Sequence, residues 1–272
     1  MIARRTLLAA GLALSAGPAF AIDPGTASGR YQDDDVKLGF SHAIALSQDN
    51  AEGMLDHPRQ MRVLLSDVEV APAALYGIVF PPVRAMAREG KVKGVLVEFD
   101  PADKTSALIT VLSKPADPSV SFANITRSDS TGLWKRLDVS DTRVSGEFKP
   151  DDDGHLVMSF SAPVFTDPVQ QDLKGAAAQQ SELIGVLIAR AQAMAKGDRT
   201  TAYSLSTEAS IATIKSFPPG MEKAMAGQIP VLIKSLKSAR RVVIRRETAA
   251  VLTPDGSWFN LAREGGAWKA AD

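Results

Sequence analysis

The 272-residue chain contains no cysteine. That excludes disulfides, thiolate metal sites, a nucleophilic thiol and a lipid-bearing cysteine, so stability must come from burial alone. Histidine is nearly as scarce, with three residues, His42, His57 and His155, and no H-x-x-x-H or H-x-H spacing among them. Since a metal site needs three or four ligands, no metal and no cofactor is expected. Aromatic residues make up 6% of the chain, which advertises no stacking platform for bases or sugars. G-x-S-x-G, a phosphate-cradling glycine loop, a dinucleotide fingerprint and H-E-x-x-H are all missing. No apolar run reaches the roughly 20 residues that span a bilayer, so no transmembrane segment is expected.

What the chain does have begins at its start. In "MIARRTLLAAGLALSAGPAFA" two arginines precede an apolar run, a Gly17-Pro18 break and the small-x-small ending Ala19-Phe20-Ala21. This order reads as a secretory signal peptide over residues 1–21, cleaved after Ala21, and places the protein in the periplasm or outside the cell. Arg4-Arg5 ahead of Thr6-Leu7-Leu8 also resembles a twin-arginine export signal, and both routes stay open.

Charge divides the remainder. Residues 22–169 hold 15 Lys and Arg against 22 Asp and Glu, and residues 170–272 hold 14 against 9. Two modules of opposite sign could attract each other, and the nearly balanced total gives no case for nucleic acid.

Residues 22–169 read as a β-rich domain, an antiparallel sandwich or barrel. After a polar linker over 22–28 come alternating runs at 37–46, 61–66, 91–99, 106–113 and 120–125, then two runs flanking "KPDDDG" as a hairpin. One helical interlude, "APAALYGIVFPPVRAMAREG", is broken by Pro81-Pro82 and closed by Gly90. Residues 170–272 read as an α+β domain. A long helix ends at Gly197, shorter helices begin near Ser206 and Pro230, and four strands follow from Arg240 onward. The stretch "TDPVQQDLKG" joins the two as a hinge or as the first turn of the long helix.

Gly197, Asp198, Tyr203, Leu205, Gly266, Trp268 and Lys269 carry a resemblance. The stretch "ARAQAMAKGDRTTAYSLS" with the ending "WFNLAREGGAWKAAD" resembles the nuclear-transport-factor-like superfamily, especially its small bacterial secreted domains. The resemblance implies a cone, a curved sheet wrapped around helices, for roughly the last 95 residues. It implies no particular activity, because that fold serves isomerases, dehydratases and non-catalytic binding or dimerisation modules. The superfamily's enzymes place an Asp/His or Asp/Tyr pair in the cone, and residues 170–272 contain no histidine. The first half loosely resembles uncharacterised periplasmic β domains, through "SHAIAL" and "VLLSD".

The candidate site residues follow. Leu38, Phe40, His42, Ile44 and Leu46 recur with period two, which on one strand puts His42 in the middle of an apolar face. A satisfied core histidine is the plainer reading; a general base oriented by Asp33, Asp34, Asp35 or Asp67 is the sharper one. Tyr203 and Trp258 are candidate liners of a ligand pocket. Arg241 and Arg245, within the basic cluster Lys234, Lys237, Arg240, Arg241, Arg245 and Arg246, are candidate anion-binding residues. That cluster reads first as a solvated strand and next as a dock for the acidic half. The acidic runs 33–35 and 151–153 lack the alternate spacing and closing glutamate of a calcium loop and read as solvated turns. The expectation is an exported, non-catalytic protein that binds a small apolar ligand or an envelope protein, with a homodimer through the sheet face admitted. The alternative is a hydrolase, isomerase or lyase using His42.

Overall fold

The computed structural model describes residues 24–33, 36–77, 81–115, 122–130, 132–149, 155–215 and 227–271. The signal sequence, Asp34, Asp35 and the "DDDG" turn at 151–154 lie outside them. The architecture is mostly antiparallel β with a few helices, broadly α+β, and its N-terminal part is rich in strands.

Ten strands build the first sheet. They are β1 (Thr26–Asp33), β2 (Val36–Gly39), β3 (His42–Asp49), β4 (Arg59–Ser66), β5 (Gly94–Phe99), β6 (Ser106–Leu112), β7 (Asn124–Ser128), β8 (Trp134–Val139), β9 (Arg143–Phe148) and β10 (Leu156–Thr166). Their order is β7-β6-β5-β4-β3-β1-β10-β9-β8, with β2 paired to β1 alone. Neighbours are antiparallel except where β10 also runs parallel to β3, Val164 opposite Ala45. The sheet curls, so that Trp134 on β8 meets Phe99 on β5 with ring centroids 5.1 Å apart and Phe148 on β9 at 4.0 Å. Inside the curl lies one core, with Val63, Val97, Ile109, Trp134, Met158 and Phe160 among its members. Outside it, a 3-10 turn (Pro72–Leu75) and α1 (Val83–Arg88) cover Leu46, Leu64, Leu96 and Leu112 as a second core. Gly90, at φ +78°, closes α1 in a conformation other residues adopt only with strain, and the Lys91 amide bonds back to Met86 O.

The run 37–46 is not one strand. β2 ends at Gly39 and β3 starts at His42, and across the break the inward parity changes. Leu38 and Phe40 face the core inside the curl, whereas Ile44 and Leu46 belong to the outer core and Ala43 and Ala45 take the inside. His42 is therefore not the centre of one apolar row; it opens a strand, half-buried, opposite Ser66 and Thr26.

The second sheet, β11 (Val169–Lys174), β12 (Arg241–Arg245), β13 (Thr248–Leu252), β14 (Trp258–Glu264) and β15 (Ala267–Ala270), is antiparallel in that order. The joining stretch is thus largely a strand. Helices α2 (Ala176–Gln179), α3 (Glu182–Ala195), α4 (Arg199–Ser204), α5 (Glu208–Lys215) and α6 (Ile229–Lys237) lie between β11 and β12 in sequence. Ser181 caps α3 by accepting the Leu183 amide, Gly197 at φ +71° ends it, and Asp198 caps α4 by accepting the Thr201 amide. Leu183, Ile184 and Leu187 of α3 bury against Val242, Val251 and Leu261 of the sheet. Each such side chain contributes about 1.5–3 kcal/mol, more than any cap, so packing rather than propensity places the helix.

Candidate functional site

Between α3–α6 and the second sheet the helices leave a cavity of about 410 Å³. Helical spacing explains how α3 lines it: Leu187, Arg190, Ala191 and Met194 fall on one face at i, i+3, i+4 and i+7. α4 adds Ala202 and Tyr203, α5 adds Thr213 and Ile214, and α6 adds Ile229, Leu232 and Leu236. Phe259 of β14 completes the wall from the sheet side. The volume lies within the range of small-molecule sites, and the mostly apolar wall with a few polar groups is their usual composition.

The polar groups are Arg190, Arg199, Tyr203, Thr213 and Gln228. Arg190 is held in place by two buried hydroxyls, its Nε donating to Ser206 Oγ at 2.9 Å and its Nη2 to Ser210 Oγ at 3.0 Å. Lys215 Nζ sits 5.7 Å from the centre of the Tyr203 ring and so helps fix it. Among the described lining residues there is no histidine, carboxylate, serine or cysteine. No base near neutral pH faces the space, so the arrangement can orient a guest but offers it no proton acceptor.

Of the residues singled out in sequence, Tyr203 lines this cavity and Trp258 does not. Trp258 pairs with Leu252 and Phe259 with Val251, so adjacent residues of β14 point to opposite faces, and Phe259 takes the helix side. Arg241 lies on the far face too, where its Nε and Nη2 donate to the Asp172 carboxylate at 2.7 and 3.0 Å. That pairing holds the Asp172 carboxyl below its usual range. The alternation in "SWFNLAR" carried the signal for Phe259, since Phe259 and Leu261 are its apolar set. Nothing comparable marks Arg190, whose hydroxyl partners lie on another helix and its leading turn.

Arg245 is 1% exposed and sits where the two sheets meet. Its Nε and Nη2 donate to the two oxygens of Glu52 at 3.1 and 2.7 Å, Nη2 also to Asp49 Oδ1 at 2.7 Å, and Nη1 to Asp167 O at 3.1 Å. This part of the basic strand is thus not solvated: it docks the acidic half. Beside it Asp167 accepts from the Thr248 hydroxyl and the Glu247 amide, yet burial still pushes its carboxyl above the usual value. Burial likewise raises the Tyr76 phenol, against a hydrogen bond from Arg246. The far face of the second sheet is therefore already occupied in part by the chain's own N-terminal half.

No described hydrogen bond or ion pair joins the His42 imidazole to a carboxylate. His57 Nδ1 lies 2.8 Å from Arg59 O, within its own loop. Among the described residues no group of three or more His, Asp or Glu is arranged to hold a metal ion, and no helix is long and apolar enough to cross a membrane. No known family matches the chain, and no curated protein or solved structure matches it.

Proposed function

We propose that the protein is an exported, non-catalytic binding protein that holds a small apolar molecule in the cavity beneath α3–α6. The observation that carries this reading is the 410 Å³ space walled by Leu187, Met194, Ile229, Leu232 and Phe259 with no described base or nucleophile facing it. The first 21 residues support export to the periplasm or beyond. Helices gathered on one face of a five-stranded sheet, with a hollow between, are what the cone-like fold of the nuclear-transport-factor-like superfamily would produce from this sequence. The curled ten-stranded sheet accords with a barrel-like N-terminal domain. Because Arg245 and Thr248 turn the far sheet face toward the N-terminal half, the reading rests on ligand binding rather than on pairing through that face.

The test is titration of the mature protein with the uncharged fluorophore N-phenyl-1-naphthylamine, beside an Ala191→Trp variant whose indole fills the cavity. Saturable enhancement in the natural protein, lost in A191W while its thermal midpoint holds or rises, is the expected result. Equal enhancement in both proteins, or none in either, contradicts the reading.

A further inference from the structure

The first sheet has an open edge that is walled into a groove. β2 bonds to β1 on one side only. The Phe40 amide donates to Gly29 O, so the amides and carbonyls of the even-numbered residues on this strand face β1. With period two, those of Lys37 and Gly39 face away. At Ser41 that outer side still reaches the neighbouring strand, its amide donating to Ser66 O at 3.0 Å. Further back along β2 the two edges part, and an open hollow of about 490 Å³ lies between β2, the turn after α1 and the end of β6.

Lysine rims the hollow from three separate segments: Lys37 on β2, Lys93 after α1 and Lys114 after β6, all exposed. The Lys114 stem lies over the closing turn of α1, where a Cβ on Gly90 would come 3.3 Å from its Cδ. Two acidic groups border the site. Glu89 is engaged by Lys91 at 2.6 Å, and Asp67 accepts the Lys93 amide at 2.8 Å. Above Gly39 there is open space, with nothing within 4 Å of where a Cβ would sit. The half of the chain that carries these lysines is acidic overall, so their gathering on one rim departs from its background.

We infer that this groove binds an extended acidic peptide segment, which adds a strand to β2 and sets its carboxylates against Lys37, Lys93 and Lys114. An edge lacking a partner supplies the main-chain bonds, and alternate side chains of the added strand meet the lysines on one face. The free side of Gly39 leaves room for a larger side chain of the guest. Lysine on an open edge also discourages pairing with neutral or basic strands, which gives the groove selectivity. A flat anionic surface would meet the same charges but could not use the Lys37 and Gly39 main chain.

Fluorescence polarisation tests this on the mature protein with a labelled, N-acetylated octapeptide alternating glutamate and valine. Its comparators are the lysine–valine counterpart and a glutamate–valine peptide N-methylated at alternate residues on its pairing edge. The glutamate peptide binds at least about tenfold tighter than either, weakens with salt, and is lost in Lys37→Glu/Lys93→Glu. Lys196→Glu, an exposed change on the other layer, leaves binding as it was. Equal binding of the N-methylated peptide would reduce the site to bare charge and overturn the inference. So would equal loss in K196E, no binding of the glutamate peptide, or binding confined to vesicles of phosphatidylglycerol.

Discussion

Replacing Arg245 with methionine leaves the Glu52 carboxylate, whose side chain is 2% exposed, buried and without its cation. Breaking a buried pair from one side costs about 3–5 kcal/mol, because the remaining charge keeps its desolvation penalty and loses its compensation. Asp49 adds little to this sum: its side chain is 51% exposed and water screens it, so Asp49→Asn costs at most about 1 kcal/mol. At about 2–4 °C per kcal/mol for a chain of this size, R245M lowers the melting temperature by roughly 6–20 °C. The double variant Arg245→Met/Glu52→Leu removes both charges together and recovers most of that loss, since apolar replacement of a buried pair is often neutral or stabilising. Urea and thermal unfolding of the four proteins of this cycle measure the coupling directly. A single-variant loss under about 1 kcal/mol, or a double variant no more stable than R245M, would refute the claim that this pair locks the two sheets together.

Further outcomes follow from the same geometry. Asp167→Asn removes a carboxyl whose folded-state affinity for its proton is raised by burial. Such a group contributes stability that is present at low pH and lost as pH rises through its raised folded value, so the natural protein gains on D167N as pH falls; urea midpoints from pH 4 to 8 that run parallel would contradict this. Gly146→Ala sets a Cβ 2.9 Å from Phe160 and from Trp134 in the inner core, and calorimetry should show a loss of about 1–3 kcal/mol from overpacking. His42→Ala, at a half-buried position with no described carboxylate partner, changes stability by less than about 1 kcal/mol in the same assay and leaves naphthylamine binding intact.

Strands with alternating apolar residues were legible. β4, β5, β6, β9, β10 and all four C-terminal strands fall where the period-two pattern puts them, and α3 and α6 follow their stripe and proline. β1 was not legible, because "TASGRYQD" buries only Tyr31; it is a strand through its main-chain pairing with β10 and β2. β11, "VQQDLK", buries no residue and exists through β12. In β8 an irregular register between Trp134 and Arg136 breaks the alternation that would have announced it. The break at Phe40–Ser41 hid the change of face that takes His42 out of one continuous apolar row. At the cavity, Tyr203 was readable from its helix, while Trp258 was chosen over its neighbour for size rather than for the face its strand gives it. The role of Arg245 depends on Glu52, 193 residues away in sequence, a distance at which no local pattern signals contact.

The central claim is that the cavity beneath α3–α6 holds an apolar guest. Native mass spectrometry of the mature protein, purified gently from the periplasm beside A191W, tests it most directly. The account predicts an added mass on the natural protein that departs on denaturation, partitions into organic solvent and is missing from A191W. A bare polypeptide in both spectra, or the same added mass on both, would contradict it.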